Sequence, residues 1–230
     1  MNKDGALDLI REVKETLDLL KQPEDIKPVK IKSMLEHLRS ALEYVTNDVY
    51  DKLTPASARI RNDIYFPYNQ KHNIDRFFQK KLQLLNYSEN KIYKLFNSIQ
   101  DYSTNTNELV MMCNLTNEAK HLKPIALDKE EKVSSVKISV DGLGLVSTDL
   151  NSNITFQNCT VNGKKLQDFT YSNGQLKTTG IGIPVNLTIT KDKKIKFHGV
   201  EYEVVPFIER CLNKIEKFVL AVYEELEKTN

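Results

Sequence analysis

Cysteine is scarce in this sequence: three occur in 230 residues. Cys113, Cys159 and Cys211 stand too far apart to form a Cys-x-x-Cys pair or a Cys/His ligand set. They read as two buried small hydrophobes and one strand residue. Surplus charge is scarce too, since 33 Lys and Arg against 31 Asp and Glu leave a net +2. That argues against a dominant cationic stripe, because neutralising nucleic-acid phosphates takes clustered cations. A small basic groove can still hide in a neutral total. No apolar run reaches the roughly 20 residues of a membrane span before Lys, Glu or Asn interrupts it. The opening MNKDGALDLIREVKE mixes acids with bases and has no apolar core of a signal peptide, so a cytoplasmic protein is expected. The Asn-x-Ser/Thr matches at Asn114, Asn153, Asn158 and Asn186 then carry no glycan. Also missing are a strand–GxGxxG–helix pattern, a Ser nucleophile elbow, paired carboxylates and a metal-ligand cluster. Gly142, Gly144, Gly180 and Gly182 read as turns and bulges. No cofactor, metal or membrane is expected.

What is present is a globular balance, 40% hydrophobic and 28% charged, with an apolar period that changes twice. To about Leu127 it is helical. Leu7, Ile10, Val13, Leu17 and Leu20 form one stripe. A second, central helix near Lys30 to Leu53 carries Ile31, Met34, Leu35, Leu38, Ala41, Leu42, Val45 and Val49. Residues 54–72 fit neither template. Asp63-Ile64-Tyr65-Phe66-Pro67-Tyr68 reads as an extended segment pinned on the helices, since leaving its large apolar side chains wet would cost roughly 1.5–3 kcal/mol each. Helices follow at Asn73–Leu85, Ser88–Tyr102 with Ser88 as N-cap, and Thr106–His121. From Val133 to Val204 the period is two. Asp141-Gly142, Asn162-Gly163 and Asn173-Gly174 supply turns, and Lys191-Asp192-Lys193-Lys194 reverses the chain. From Pro206 a last helix carries the most regular stripe, from Ile208 to Leu226.

A small meander cannot bury a stripe that long. The expected class is therefore α+β. An N-terminal helical bundle (1–127 and 205–230) receives an antiparallel β insertion (133–204), and the long C-terminal helix packs back on the bundle. The competing arrangement is a separate α+β domain at 133–230.

The polar constellation is Cys113-Asn114-Leu115-Thr116-Asn117-Glu118-Ala119-Lys120-His121. Helical spacing sets Asn114, Asn117, Glu118 and His121 on one face and Leu109, Met112, Cys113 and Thr116 on another. His121 could serve as acid or base near neutral pH. Equally, Lys120 and His121 could satisfy the last carbonyls of the helix. Arg39–Glu43 reads as an i, i+4 ion pair on a solvated face beside His37. Arg59, Arg61 and Lys71 around Tyr65 and Tyr68 read either as a nucleic-acid patch with stacking rings or as a pinned connector.

Several motifs recur in a family order: Leu-Arg-Ser-Ala-Leu-Glu-Tyr (residues 38–44), Ile64-Tyr65-Phe66-Pro67-Tyr68, Asp75-Arg76-Phe77-Phe78, and Asn117-Glu118-Ala119-Lys120-His121. The chain thereby resembles a diffuse group of bacterial proteins related to the HEPN-like helical fold, in which a helix ends in Asn-x-x-Lys-His and a β region precedes a final helix. The resemblance covers most of residues 30–127 and, more weakly, the last helix. It implies a homodimer or a protein partner in a defence or toxin-associated system. Catalytic HEPN ribonucleases carry an Arg a turn or two ahead of a His on one helix. Here His121 matches the His, but Asn114 and Asn117 stand where the Arg is needed, and an amide cannot stabilise a pentacoordinate phosphate as a guanidinium does. Lys120 lies about 100° round the helix from His121. The expectation is a non-enzymatic binding or regulatory protein, with Asn114, Glu118, Arg39, Arg61 and Tyr65 as binding residues. The alternative is a metal-independent endoribonuclease using His121 with Asn117 and Lys120, or with Arg39 from another helix or subunit.

Overall fold

The structure, a computed structural model, describes residues 1–20, 25–59 and 64–228. The chain divides into two compact units, Met1–Asp128 with Ile195–Asn230, and Lys129–Lys194. The first is helical. Its elements are α1 (Lys3–Leu19), α2 (Pro28–Leu53), α3 (Lys71–Arg76), α4 (Lys91–Ser98), α5 (Asp101–Thr104), α6 (Glu108–His121) and α7 (Val204–Lys228).

Helix α7 buries its stripe from Val204 to Leu226, in one core with Ile10, Leu42, Phe96 and Met112. The separate C-terminal domain is thereby set aside. The contacts are specific. Phe218 meets Phe66 and Phe96 at centroid distances of 5.7 and 5.1 Å, and Tyr223 donates its hydroxyl to Asp48 of α2 at 2.8 Å. The Asn2 backbone N–H also donates to Asp48, so one buried carboxylate ties the chain's start, α2 and α7 together.

Between α2 and α3, residues 64–68 form neither helix nor strand and are pinned on the helices as their aromatic content predicts, while Asp63 of the expected segment lies outside the described residues. Side chains from α2, α3 and the cap of α5 bond three of the segment's backbone groups. Phe66 N–H donates to Glu43 at 2.6 Å, Gln100 Nε2 to Pro67 O at 3.2 Å, and Asn73 Nδ2 to Tyr68 O at 2.9 Å. Alternation turns Phe66 into the core (1% exposed) and leaves Tyr65 64% exposed, so only part of the segment is buried as expected.

Several helix boundaries differ from the sequence reading, and the helix expected over 88–102 is broken into α4 and α5. Ser88 lies in a 3₁₀ turn, and the cap of α4 is Asn90, whose Oδ1 accepts from Ile92 N–H at 2.8 Å and Tyr93 N–H at 3.3 Å. Helix α3 ends in a π turn, Phe77–Lys81, closed by Leu82 N–H on Phe77 O at 3.0 Å.

The second unit holds antiparallel strands. Strands β1 (Leu127–Val140), β2 (Leu143–Thr148) and β8 (Asn186–Phe197) form one sheet in the order β2-β1-β8. Strands β3 (Asn153–Phe156), β6 (Asp168–Ser172) and β7 (Gln175–Thr179) form another, and β4 (Thr160–Val161) pairs with β5 (Lys164–Lys165). Inward residues of the two larger sheets, among them Val136, Ile138, Phe169 and Tyr171, share one small core. The three predicted turn dipeptides all appear with both residues at positive φ, as two-residue hairpin turns require. Lys191–Lys194 does not reverse the chain. It contains no positive-φ residue, and β8 passes straight through it while Leu187, Ile189, Ile195 and Phe197 keep one alternation.

Candidate functional site

Of the sequence-predicted residues, Arg39, Asn117 and Lys120 come together where α2, the connector and α6 meet. Arg39 falls at 3.6-residue spacing from Leu35 and Leu42, so it points into the stripe instead of toward solvent and is 9% exposed. Its Nε lies 2.8 Å from Glu43 Oε1, its Nη1 lies 2.6 Å from Cys113 Sγ, and its guanidinium covers the Tyr68 ring at 4.8 Å. The i, i+4 pair therefore exists, but the solvated face does not. Glu43 Oε2 accepts the Phe66 N–H, and the Tyr68 hydroxyl accepts from Asn117 Nδ2 at 3.3 Å.

Electrostatics make this a closed network. Burial works to lower the Arg39 pKa, yet Cys113, Glu43 and Tyr68 outweigh it and hold it above its ordinary value. Burial pushes the Glu43 carboxyl up against the pull of Arg39, the Phe66 N–H and Lys120. Burial also lifts the Cys113 thiol to about 11, despite the adjacent guanidinium, so it is no activated nucleophile. Sequence reasoning paired Arg39 with Glu43 but missed Tyr68 and Cys113 as partners here. The available signal was a charge lying inside an apolar stripe.

The rest of the α6 signature is split. Asn117 and Lys120 follow Cys113 along the face turned to this network. Asn114 and His121 are exposed, and Glu118 pairs with Lys123 at 3.2 Å. Glu118 O caps the helix end by accepting from Leu122 N–H at 2.8 Å and Lys123 N–H at 3.1 Å. The His121 side chain makes no hydrogen bond or ion pair among the described residues. It stands eight residues past Cys113, about 12 Å along the axis. Arg61 lies outside the described residues.

Tyr65 borders a separate cavity of about 210 Å³ with Pro67, Asn73, Arg76, Phe77 and Lys81. Another, of about 140 Å³, lies beside Ala119, Pro124 and Phe197, next to a His198–Asp128 contact of 2.9 Å. Among the described residues, no three or more His, Cys, Asp or Glu gather as a metal site, and no helix is long and apolar enough to cross a membrane.

No protein-family model, curated protein or solved structure matches this chain.

Asp101 positions α6 from outside it. Its carboxylate accepts from Val110 N–H at 2.8 Å, Leu109 N–H at 3.2 Å, Thr106 Oγ1 at 2.8 Å and Lys214 Nζ of α7 at 3.1 Å. It does the work of the N-cap, because Asn107 offers no side-chain bond there. Burial alone would raise its pKa, but those four donors outweigh it and hold the carboxyl below its ordinary value. Asp101→Asn should therefore cost about 1.5–3 kcal/mol of stability. A depressed native value gives stability that is complete above the unfolded value, about pH 4, and is lost as pH falls through the native one. Urea titrations should show the difference between wild type and variant steady at neutral pH and shrinking below about pH 4.

Proposed function

We propose that this chain is a non-enzymatic bacterial binding or regulatory protein of HEPN-like architecture, acting through self-association or a protein partner in a defence or toxin-associated setting. One observation carries the reading: the guanidinium beside the α6 signature is already spent inside the fold. Arg39 is shared among Glu43, Cys113 and the Tyr68 ring. Stabilising a phosphoryl transition state needs such a charge aimed at the developing oxyanion. His121, two turns further along, has no hydrogen-bond or ion-pair partner among the described residues to orient it as an acid or base.

The test is incubation of the purified protein with total RNA in the absence of metal. RNA should stay intact at high protein concentration, with wild type and His121→Ala indistinguishable. Cleavage that His121→Ala abolishes at unchanged helicity would overturn the reading in favour of a metal-independent ribonuclease.

A further inference from the structure

The cavity of about 140 Å³ lies at the end of α6, and every residue that lines it belongs to the helical unit. From α6 it takes Leu115 and Ala119, one turn apart on one face. Ile125 and Phe197, 8% and 1% exposed, add two buried apolar side chains. The Phe197 ring is itself held edge-on by Phe207 at 5.3 Å. Polar groups in the lining are already committed. Pro124 has no N–H, Ala126 O accepts the His198 N–H at 3.0 Å, and Glu118 pairs with Lys123 at 3.2 Å. Among the described residues, the buried side-chain N and O atoms that lack a partner belong to Thr54 and Gln100, which do not line it. The interior is apolar, and its charged rim is neutral as a pair.

One acceptor remains. After β8 the chain turns at Gly199, with a φ of +74°, and Val200 N–H bonds back to Phe197 O at 3.2 Å. The turn leaves His198 at the cavity with its side chain 71% exposed, so the imidazole stands at the mouth. Asp128 fixes the ring, its two carboxylate oxygens lying 2.9 and 3.2 Å from Nδ1. An ionised carboxylate only accepts, so Nδ1 carries the proton. The neutral ring then presents Nε2 as an acceptor with no partner among the described residues.

We infer that this cavity binds a single-ring phenol as a free small molecule, its ring against Phe197 and Ile125 and its hydroxyl donating to His198 Nε2. Size selects the ring, since an apolar cavity of roughly 150 Å³ holds benzene. The mouth selects the hydroxyl, because toluene would leave the acceptor unused. Water is a poor occupant, for the interior offers it no polar partners. A benzoate would have to open the Glu118–Lys123 pair to gain a counter-charge. A tyrosine from a protein partner would enter hydroxyl first and carry that group past His198 into the apolar end. The inference goes beyond the protein-partner reading and does not rest on it, so the RNA assay above and the measurement below fail separately.

Titration calorimetry and ligand-observed NMR of the full chain test it with phenol, toluene, benzoate, naphthol and N-acetyltyrosinamide. Phenol should bind with a Kd below about 1 mM, toluene about fivefold weaker, and the other three at least about tenfold weaker. His198→Ala should weaken phenol about fivefold and leave toluene within about twofold, a split that a merely loosened fold would not give. Ala119→Leu fills the cavity and should weaken both about tenfold or more at unchanged helicity. Should that variant lose helicity, the split at the exposed His198 decides alone. No phenol binding by either method up to about 10 mM overturns the site. So does phenol binding that His198→Ala leaves unchanged, or toluene binding as tightly as phenol. Benzoate matching phenol overturns the neutral ligand. N-acetyltyrosinamide matching phenol overturns the free molecule in favour of a partner's tyrosine.

Discussion

Replacing Arg39 by methionine should cost about 3 kcal/mol, a large share of the roughly 5–15 kcal/mol that holds an ordinary domain together. The loss comes from what is left behind. Glu43 would keep its charge in a largely enclosed position, one-fifth exposed, with its counter-ion gone. Arg39→Met with Glu43→Gln should recover more than half of the loss, because the glutamine carbonyl still accepts the Phe66 N–H without carrying charge. The pH dependence separates this from lost packing. The native Glu43 pKa already lies above its unfolded value. Its stabilising contribution is therefore complete below the unfolded value and disappears as pH rises through the native one. Removing Arg39 raises the native value further. The single variant's deficit should thus be smaller at about pH 5 than at about pH 8, and the double variant's should not depend on pH in this way. Urea midpoints at both pH values measure it. A pH-independent deficit in the single variant would show that the network contributes shape and not charge.

The second large effect is expected at Phe96. Its ring is fully buried and lies between 5.1 and 5.9 Å from the rings of Phe66, Phe77, Phe78 and Phe218. It therefore joins α4, the connector, α3 and its π turn, and α7. Phe96→Ala removes contacts to all of these and leaves a cavity the surroundings fill only in part, for about 3–5 kcal/mol. Phe96→Leu should recover about half. The change should also loosen the floor under Tyr65, so hydrogen exchange should rise across residues 64–82 more than in α1. Equal protection in both regions would refute the idea that this ring cluster organises that face.

Much of this fold was legible because periodicity reports burial directly. Stripes such as those of α1 and α7 predict which side of a helix faces the core, and their lengths imply what must cover them. The turn dipeptides were equally plain, since Asn-Gly and Asp-Gly tolerate positive φ at little cost. What escaped was set by tertiary context. Arg39 with Glu43 looks like a surface ion pair until the connector and α6 supply Tyr68 and Cys113 around it. Four consecutive charges at 191–194 imitate a turn, although strand pairing carries β8 straight through them. The π turn has no local signature, because its extra residue is accommodated by packing of Phe77 and Phe78. The candidate network was half visible: the Arg39–Glu43 pair, Asn117 and Lys120 came from the sequence, while Tyr68 and Cys113 joined them only through the fold.

The helical unit is discontinuous in the chain, closed by a helix that follows Lys129–Lys194. During synthesis the strand-rich stretch is complete before that helix exists, so it is free to form its hairpins while the opening helices still show an unfilled apolar seam. The bundle can finish only once that helix has been made, after closing a loop that spans the whole insertion. A truncation that removes α7 alone leaves that seam permanently open, which gives stalled or proteolysed chains a greasy surface for chaperones and proteases to recognise.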